Sequence, residues 1–239
     1  MIQFHRRLRP VKVISFDLDD TLYDNRPIMQ RAEQALVDHL HTNFPQTRSL
    51  SLEQWAALRN TLASQDALLA NNMTALRMAS LEHGLQQTGV QASTIKRASE
   101  DAMAHFLSVR NKIEVAPDVH KLLEALAGRF PLVAISNGNA DIDQFGLRPY
   151  FTSAWQPNAK LRGKPTTDMF VAAQQALGFQ PSELLHIGDH PISDVQGAAL
   201  FGAQSVWLNE SGQANPDLTW LPTVTIQKLP LLSDILQGG

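Results

Sequence analysis

The chemistry-bearing residues of this chain gather in four short segments, three of them just after an apolar run and one just before a helical pattern. The first is Phe16-Asp17-Leu18-Asp19-Asp20-Thr21, at the end of the β-branched stretch Val11 to Leu18. Side chains two apart on a strand point to one side, so Asp17 and Asp19 are expected to project together. Two carboxylates held close repel, which raises a pKa or recruits a cation. The second segment is Ser136-Asn137-Gly138, which offers a hydroxyl and main-chain amides to an anion. The third is Gly163-Lys164-Pro165, where a lysine can neutralise a phosphate and a nearby carboxylate. The fourth runs from Gly188-Asp189 to Ser193-Asp194. Each segment also has an ordinary reading. Asp and Asn end strands and start turns, Ser193 or Asp194 fits a helix N-cap, and most lysines are solvated. Together they supply four carboxylates, a lysine, a hydroxyl and glycine amides, an inventory that suits a hard cation such as Mg²⁺ plus a phosphate.

Such residues need a scaffold that brings them to one edge. Strand-like runs lie near 11–18, 131–136, 151–155, 184–187, 205–208 and 223–226, with helical patterns between most of them. That alternation predicts an α/β fold, a doubly wound, mostly parallel sheet with helices on both faces. Ligands in such sheets bind beyond the carboxyl ends of the strands. From about Pro27 to Lys112 the strand signals vanish. Helical patterns follow one another, with a capping box at Ser51 and Gln54 and a stop at Gly89. The expected organisation is a core of residues 1–26 and 113–239, with residues 27–112 as an inserted all-helical domain.

Composition narrows the class. Hydrophobic residues are 44% and charged residues 18%, which supports a buried core and argues against disorder. The net charge of -3 gives no general attraction to nucleic acid or to an anionic membrane. The chain has no cysteine, so disulfides, thiolate metal sites and cysteine nucleophiles are excluded. No apolar run is long enough to span a bilayer, and the first residues lack the apolar stretch of a signal peptide. A cytoplasmic protein is expected, and the basic cluster His5, Arg6, Arg7, Arg9 reads as a solvated lead-in. The Asn-x-Ser/Thr triplets at Asn72 and Asn209 lack a secretory context. Oligomeric state leaves no mark in the sequence.

The four segments, in this order, resemble the four motifs of the haloacid dehalogenase superfamily, and the insertion resembles its type I helical cap. The resemblance spans nearly the whole chain. It implies a Mg²⁺-dependent phosphatase acting on a small phosphorylated metabolite. It implies Asp17 as nucleophile through an aspartyl-phosphate and Asp19 as general acid and base, with Ser136 and Lys164 also catalytic. Thr21, Ser136, Asn137, Gly138 and Lys164 would bind the phosphate, and Asp17, Asp19, Asp189 and Asp194 the metal. The dehalogenases proper lack the second acid, so Asp19 argues against carbon–halogen chemistry. At a finer level, residues 24–27, 136–140 and 145–147 resemble enterobacterial phosphatases associated with flavin mononucleotide and the phosphorylated ribitylaminouracil precursor of riboflavin. A phosphomutase or sugar-phosphate phosphatase on the same core, and a non-enzymatic phosphometabolite sensor, remain the alternatives. Arg26, Arg77, Arg110 and Trp55 in the insertion are candidate substrate contacts, with packing or solvated roles as the other reading.

Overall fold

A computed structural model describes residues 1–214, 217 and 219–236. The chain divides into two compact units. The first comprises Met1–Asp24, Glu114–Gly138 and Ile142–Gly239, and the second Asn25–Ile113 with Asn139–Asp141. The boundary therefore falls two residues before Pro27, and three residues after the Ser136 segment join the helical unit, which composition did not show.

The first unit is built on a seven-stranded sheet. Its strands are β1 (Ile2–Phe4), β2 (Val13–Phe16), β3 (Leu132–Ile135), β4 (Ser153–Trp155), β5 (Leu184–Gly188), β6 (Gln204–Leu208) and β7 (Val224–Ile226). They lie in the order β1-β7-β6-β5-β2-β3-β4. Every pairing is parallel except that of β1 with β7. All residues of β2, β3 and β5 are buried, as expected for a parallel sheet covered on both faces. On one face Val13, Val133, Ile135 and Leu184 pack with Met169, Phe170 and Ala173 of the helix Asp168–Leu177. Chain order reverses at β2, with β3 on one side and β5 on the other. That switch point is where ligands bind in open α/β sheets.

The antiparallel edge strand β1 departs from expectation, because the lead-in is not merely solvated. The main-chain amides of His5 and Arg6 donate to Thr223 O, and the His5 ring bonds Thr225 Oγ1 at 2.9 Å. Three residues between Met1 and His5 were too short a run to read as a strand.

The second unit is all-helical. Its helices are α1 (Asn25–Asn43), α2 (Leu52–Gln65), α3 (Ala67–Ala70), α4 (Met73–Gln87) and α5 (Ala92–Arg110). Ser51 and Gln54 form the expected capping box at α2. Asn72, one of the two triplet asparagines, caps α4 by accepting from Ala75 N at 3.0 Å. Leu36, Val37, Leu40, Trp55, Leu81, Leu85, Met103 and Phe106 form the core of the unit. A Cβ on Gly84 would land 2.1 Å from the Trp55 ring, so α2 and α4 approach as closely as they do only with glycine there. Glu33 receives Arg59 at 3.1 Å and Arg77 at 2.9 Å, and the Arg77 guanidinium lies 3.8 Å over the Phe106 ring. Trp55 and Arg77 are thus held in packing roles. Among the described residues, no helix is long and apolar enough to cross a membrane.

Candidate active site

Strand β2 ends at Phe16, so Asp17 and Asp19 do not share a strand face by alternation. A tight turn brings them together instead. Asp17 N donates to Ile187 O at 2.8 Å, which docks the turn on β5. Asp20 then takes a left-handed conformation at φ 57°, and Thr21 and Leu22 donate back to Leu18 O. Asp tolerates that region better than most residues. The result is a cavity of about 180 Å³ within the first unit. Asp17, Asp19, Asp20, Ser136, Asn137, Gly138, Lys164, Asp189 and Asp194 line it, beside His190 and Ser193.

Lys164 is its hub. The buried ammonium donates to Asp17 Oδ1 at 2.8 Å and to Asp194 Oδ1 at 2.6 Å. Burial pulls the lysine down, but its two carboxylates outweigh this and hold it above the usual lysine range. The two acids respond in opposite directions. Burial, aided by repulsion from Asp194, pushes Asp17 up to about 7 against the pull of Lys164. Burial also works against ionised Asp194, but Lys164 and the His186 bond hold that carboxyl well below the usual range. Asp194 has the better partners: Oδ1 accepts from Lys164 and His186, and Oδ2 accepts from His190 N at 2.9 Å. It is therefore not the helix N-cap of the ordinary reading. His190 fills that place, its Nδ1 accepting from Ile192 N and Ser193 N. Asp189 is lifted to about 7 by burial and by repulsion from Asp194 and Asp20.

Two glycines allow this convergence. A Cβ on Gly138 would stand 2.2 Å from Asp19 Oδ2, and one on Gly188 would stand 2.2 Å from Asp194 Cγ. Ser136 Oγ lies at the end of β3 and accepts from Gly138 N at 3.3 Å. The Asn137 side chain is consumed by Lys164, donating to Lys164 O at 2.8 Å and accepting from Lys164 N at 2.7 Å. Its amide group thereby fixes the main chain of the lysine. Thr21 is absent from the lining. Its buried hydroxyl donates to Asp189 Oδ1 at 3.4 Å.

Several supporting residues escaped the sequence reading. Tyr23 donates to Asp19 Oδ1 at 2.7 Å, its ring set edge-on against Phe145. Trp207 Nε1 donates to Asp189 O at 2.7 Å. His186 and Ser15 stand behind Asp194. Tyr23 lies four residues after Asp19, a spacing that one turn of chain brings together. His186 interrupts an apolar strand run, and that interruption was the available signal.

Metal fit follows from the donors. One oxygen each of Asp17, Asp189 and Asp194 lie within 4.8 Å of one another. Asp17 and Asp189 are both pushed to about 7, by burial first and then by repulsion from neighbouring carboxylates, which a bound cation would offset. An all-oxygen anionic set of this kind fits a hard divalent cation such as Mg²⁺.

Comparison with known proteins gives the family of the chain. The sequence profile of the haloacid dehalogenase-like hydrolases matches residues 11–202. The 5-amino-6-(5-phospho-D-ribitylamino)uracil phosphatase YigB of Escherichia coli K12 is 34% identical, over 98% of this chain and all of that protein. The human N-acylneuraminate-9-phosphatase is 24% identical, over 97% of this chain and 96% of that one. A crystal structure described as a 2-haloacid dehalogenase from Pseudomonas syringae pv. Tomato DC3000 superposes with a TM-score of 0.87 at 33% identity. That match covers 95% of this chain and 98% of that one.

Proposed function

The chain belongs to the haloacid dehalogenase-like hydrolase family and is a phosphoric monoester hydrolase, and on that premise we propose that Asp17 is its nucleophile and a small phosphorylated metabolite its substrate. The observation that carries the reading is the single buried ammonium of Lys164 set against Asp17 in a cavity that also holds Asp19, Ser136 and Asp189. In the proposed reaction an Asp17 oxygen attacks phosphorus and the ester oxygen departs. Asp19 gives that oxygen its proton, leaving an aspartyl-phosphate and a free alcohol. Asp19 then takes a proton from water, and the water oxygen attacks phosphorus. Inorganic phosphate leaves and Asp17 is restored. Tyr23 holds Asp19 Oδ1, which orients the acid for both transfers. Lys164, the Ser136 hydroxyl and the main-chain amides of Asn137 and Gly138 would bind the phosphoryl oxygens as charge develops.

Asp17, the Asp19 main-chain carbonyl and Asp189 would hold Mg²⁺. Asp194 would contribute its charge, since both its oxygens already accept protein donors. Bound there, the ion supplies positive charge to the phosphoryl group and lowers the pKa of the acids around it. The helical unit is proposed as the element that selects the substrate, by its resemblance to family caps. The ribitylaminouracil phosphate and flavin mononucleotide are the proposed substrates, supported by the 34% identity with the Escherichia coli phosphatase. Both are water-soluble, in keeping with a cytoplasmic location.

The test is phosphate release from p-nitrophenyl phosphate by EDTA-treated protein, with and without added Mg²⁺. Release should need the metal and should fall at least about a thousandfold in Asp17→Asn, a barrier change of roughly 4 kcal/mol. Release unaltered in Asp17→Asn would overturn the nucleophile. A higher kcat/KM for sugar phosphates than for either riboflavin-pathway compound would overturn the substrate.

A further inference from the structure

Behind the Asp17–Lys164–Asp194 group the hydrogen bonding continues into the sheet. His186 Nε2 lies 2.9 Å from Asp194 Oδ1, and His186 Nδ1 lies 2.8 Å from Ser15 Oγ. Ser15 and His186 are register partners on the paired strands β2 and β5. Both are fully buried, and Phe170 meets the imidazole edge-on at 5.1 Å. The direction of the chain is fixed by its members. Asp194 is ionised against Lys164 and only accepts, so His186 Nε2 carries the proton that points to it. Burial, with Lys164 nearby, disfavours the charged ring. In the neutral ring Nδ1 then accepts, and the Ser15 hydroxyl is the donor.

Resting on the phosphatase reading, we infer that His186 is a positioning residue for Lys164, acting through Asp194, with Ser15 setting its tautomer. Asp194 Oδ1 is shared by Lys164 and His186, and Oδ2 is pinned by His190 N. The carboxylate plane is thereby held by donors on both oxygens. Lys164 in turn bridges that fixed carboxylate and Asp17 Oδ1. Without the imidazole donor, Asp194 is free to turn about its pinned oxygen, and the ammonium follows it away from Asp17. A histidine buried only to fill the core would affect stability but not this geometry.

The experiment compares His186→Gln, His186→Asn and His186→Leu. The glutamine amide reaches the Nε2 position and restores the donor to Asp194. The asparagine amide reaches only the Nδ1 position and serves Ser15. With Mg²⁺ and p-nitrophenyl phosphate, the asparagine and leucine variants should lose kcat by about tenfold or more while KM stays within about twofold, and glutamine should recover most of it. If leucine fails to fold, the glutamine and asparagine pair decides alone, being similar in polarity. Equal losses in those two, or a rise in KM with kcat intact, would overturn the inference. A second readout needs no turnover: nitrogen-15 correlation spectra of the imidazole should show the Nε2–H tautomer, and an Nδ1–H tautomer would overturn it. Wild-type protein that releases no phosphate would sink the phosphatase reading instead, with the tautomer spectrum still deciding the hydrogen-bond direction.

Discussion

Asp17 and Asp194 touch the same ammonium, yet one is pushed up to about 7 and the other is held far down. The difference lies in the remaining partners. Asp194 also has His186 and His190 N, whereas Asp17 has repulsion from Asp194 and Asp19. Lys164 should therefore be indispensable to the metal-free fold. Breaking a buried ion pair by removing one partner costs ~3–5 kcal/mol, because a buried charge is left uncompensated. Lys164→Met should lower the urea-unfolding free energy by about that amount in EDTA. Adding Asp194→Asn should return part of the loss, and a single variant within ~1 kcal/mol of wild type would show that the ammonium is not the neutralising group. Gly138→Ala is expected to act on chemistry instead. Its Cβ would displace Asp19 Oδ2 while Tyr23 holds Oδ1, so kcat/KM should fall at least about tenfold with little change in unfolding midpoint.

The strands, not the loops, made the site legible. Short β-branched runs ending in acids or Ser-Asn-Gly located β2, β3 and β5, and their parallel order brings those ends to one edge. What the sequence could not show was how each end is finished. Asp17 and Asp19 converge through a left-handed Asp20 and not by strand alternation. After β5 the chain makes a π-helical turn over Pro191–Gln196, capped by His190, before the short helix Gly197–Phe201. These depend on a few main-chain angles and on side chains far apart in sequence, such as Asn137 gripping Lys164. In the helical unit, capping and periodicity located the helices, but the contact of Gly84 with Trp55 needs two helices in place. Gly84→Ala gains about 1 kcal/mol of helix propensity and meets an overpacking cost of ~1–3 kcal/mol. Thermal unfolding should show net destabilisation, and a raised midpoint would mean that the indole yields freely.

Across the whole molecule, the acids couple metal, protons and stability. Asp17 and Asp189 rise from 3.8 to about 7 on folding without metal. A raised carboxyl favours folding fully below its unfolded pKa, and that contribution is lost as pH rises through the folded value. The metal-free protein should thus lose stability from these groups between about pH 4 and pH 7, with His186, shifted down from 6.5, opposing the trend below pH 6.5. Mg²⁺ competes with protons for the same oxygens, so saturating Mg²⁺ should raise Tm more near pH 8 than near pH 5. An equal rise at both would place the ion elsewhere. Exchanging residues 25–113 for the corresponding unit of a relative should change the ratio of kcat/KM between flavin mononucleotide and p-nitrophenyl phosphate. An unchanged ratio would remove the unit from substrate choice. Sequence periodicity gave no sign that residues 139–141 group with the helical unit, which only the folded chain displays. The central claim is that phosphorus passes through Asp17 on its way to water. Two successive in-line displacements restore configuration at phosphorus, whereas direct attack by water inverts it. Hydrolysis of an isotopically chiral thiophosphate monoester in isotopically labelled water, followed by configurational analysis of the product, separates the two. Retention is the predicted result, and inversion would contradict the account.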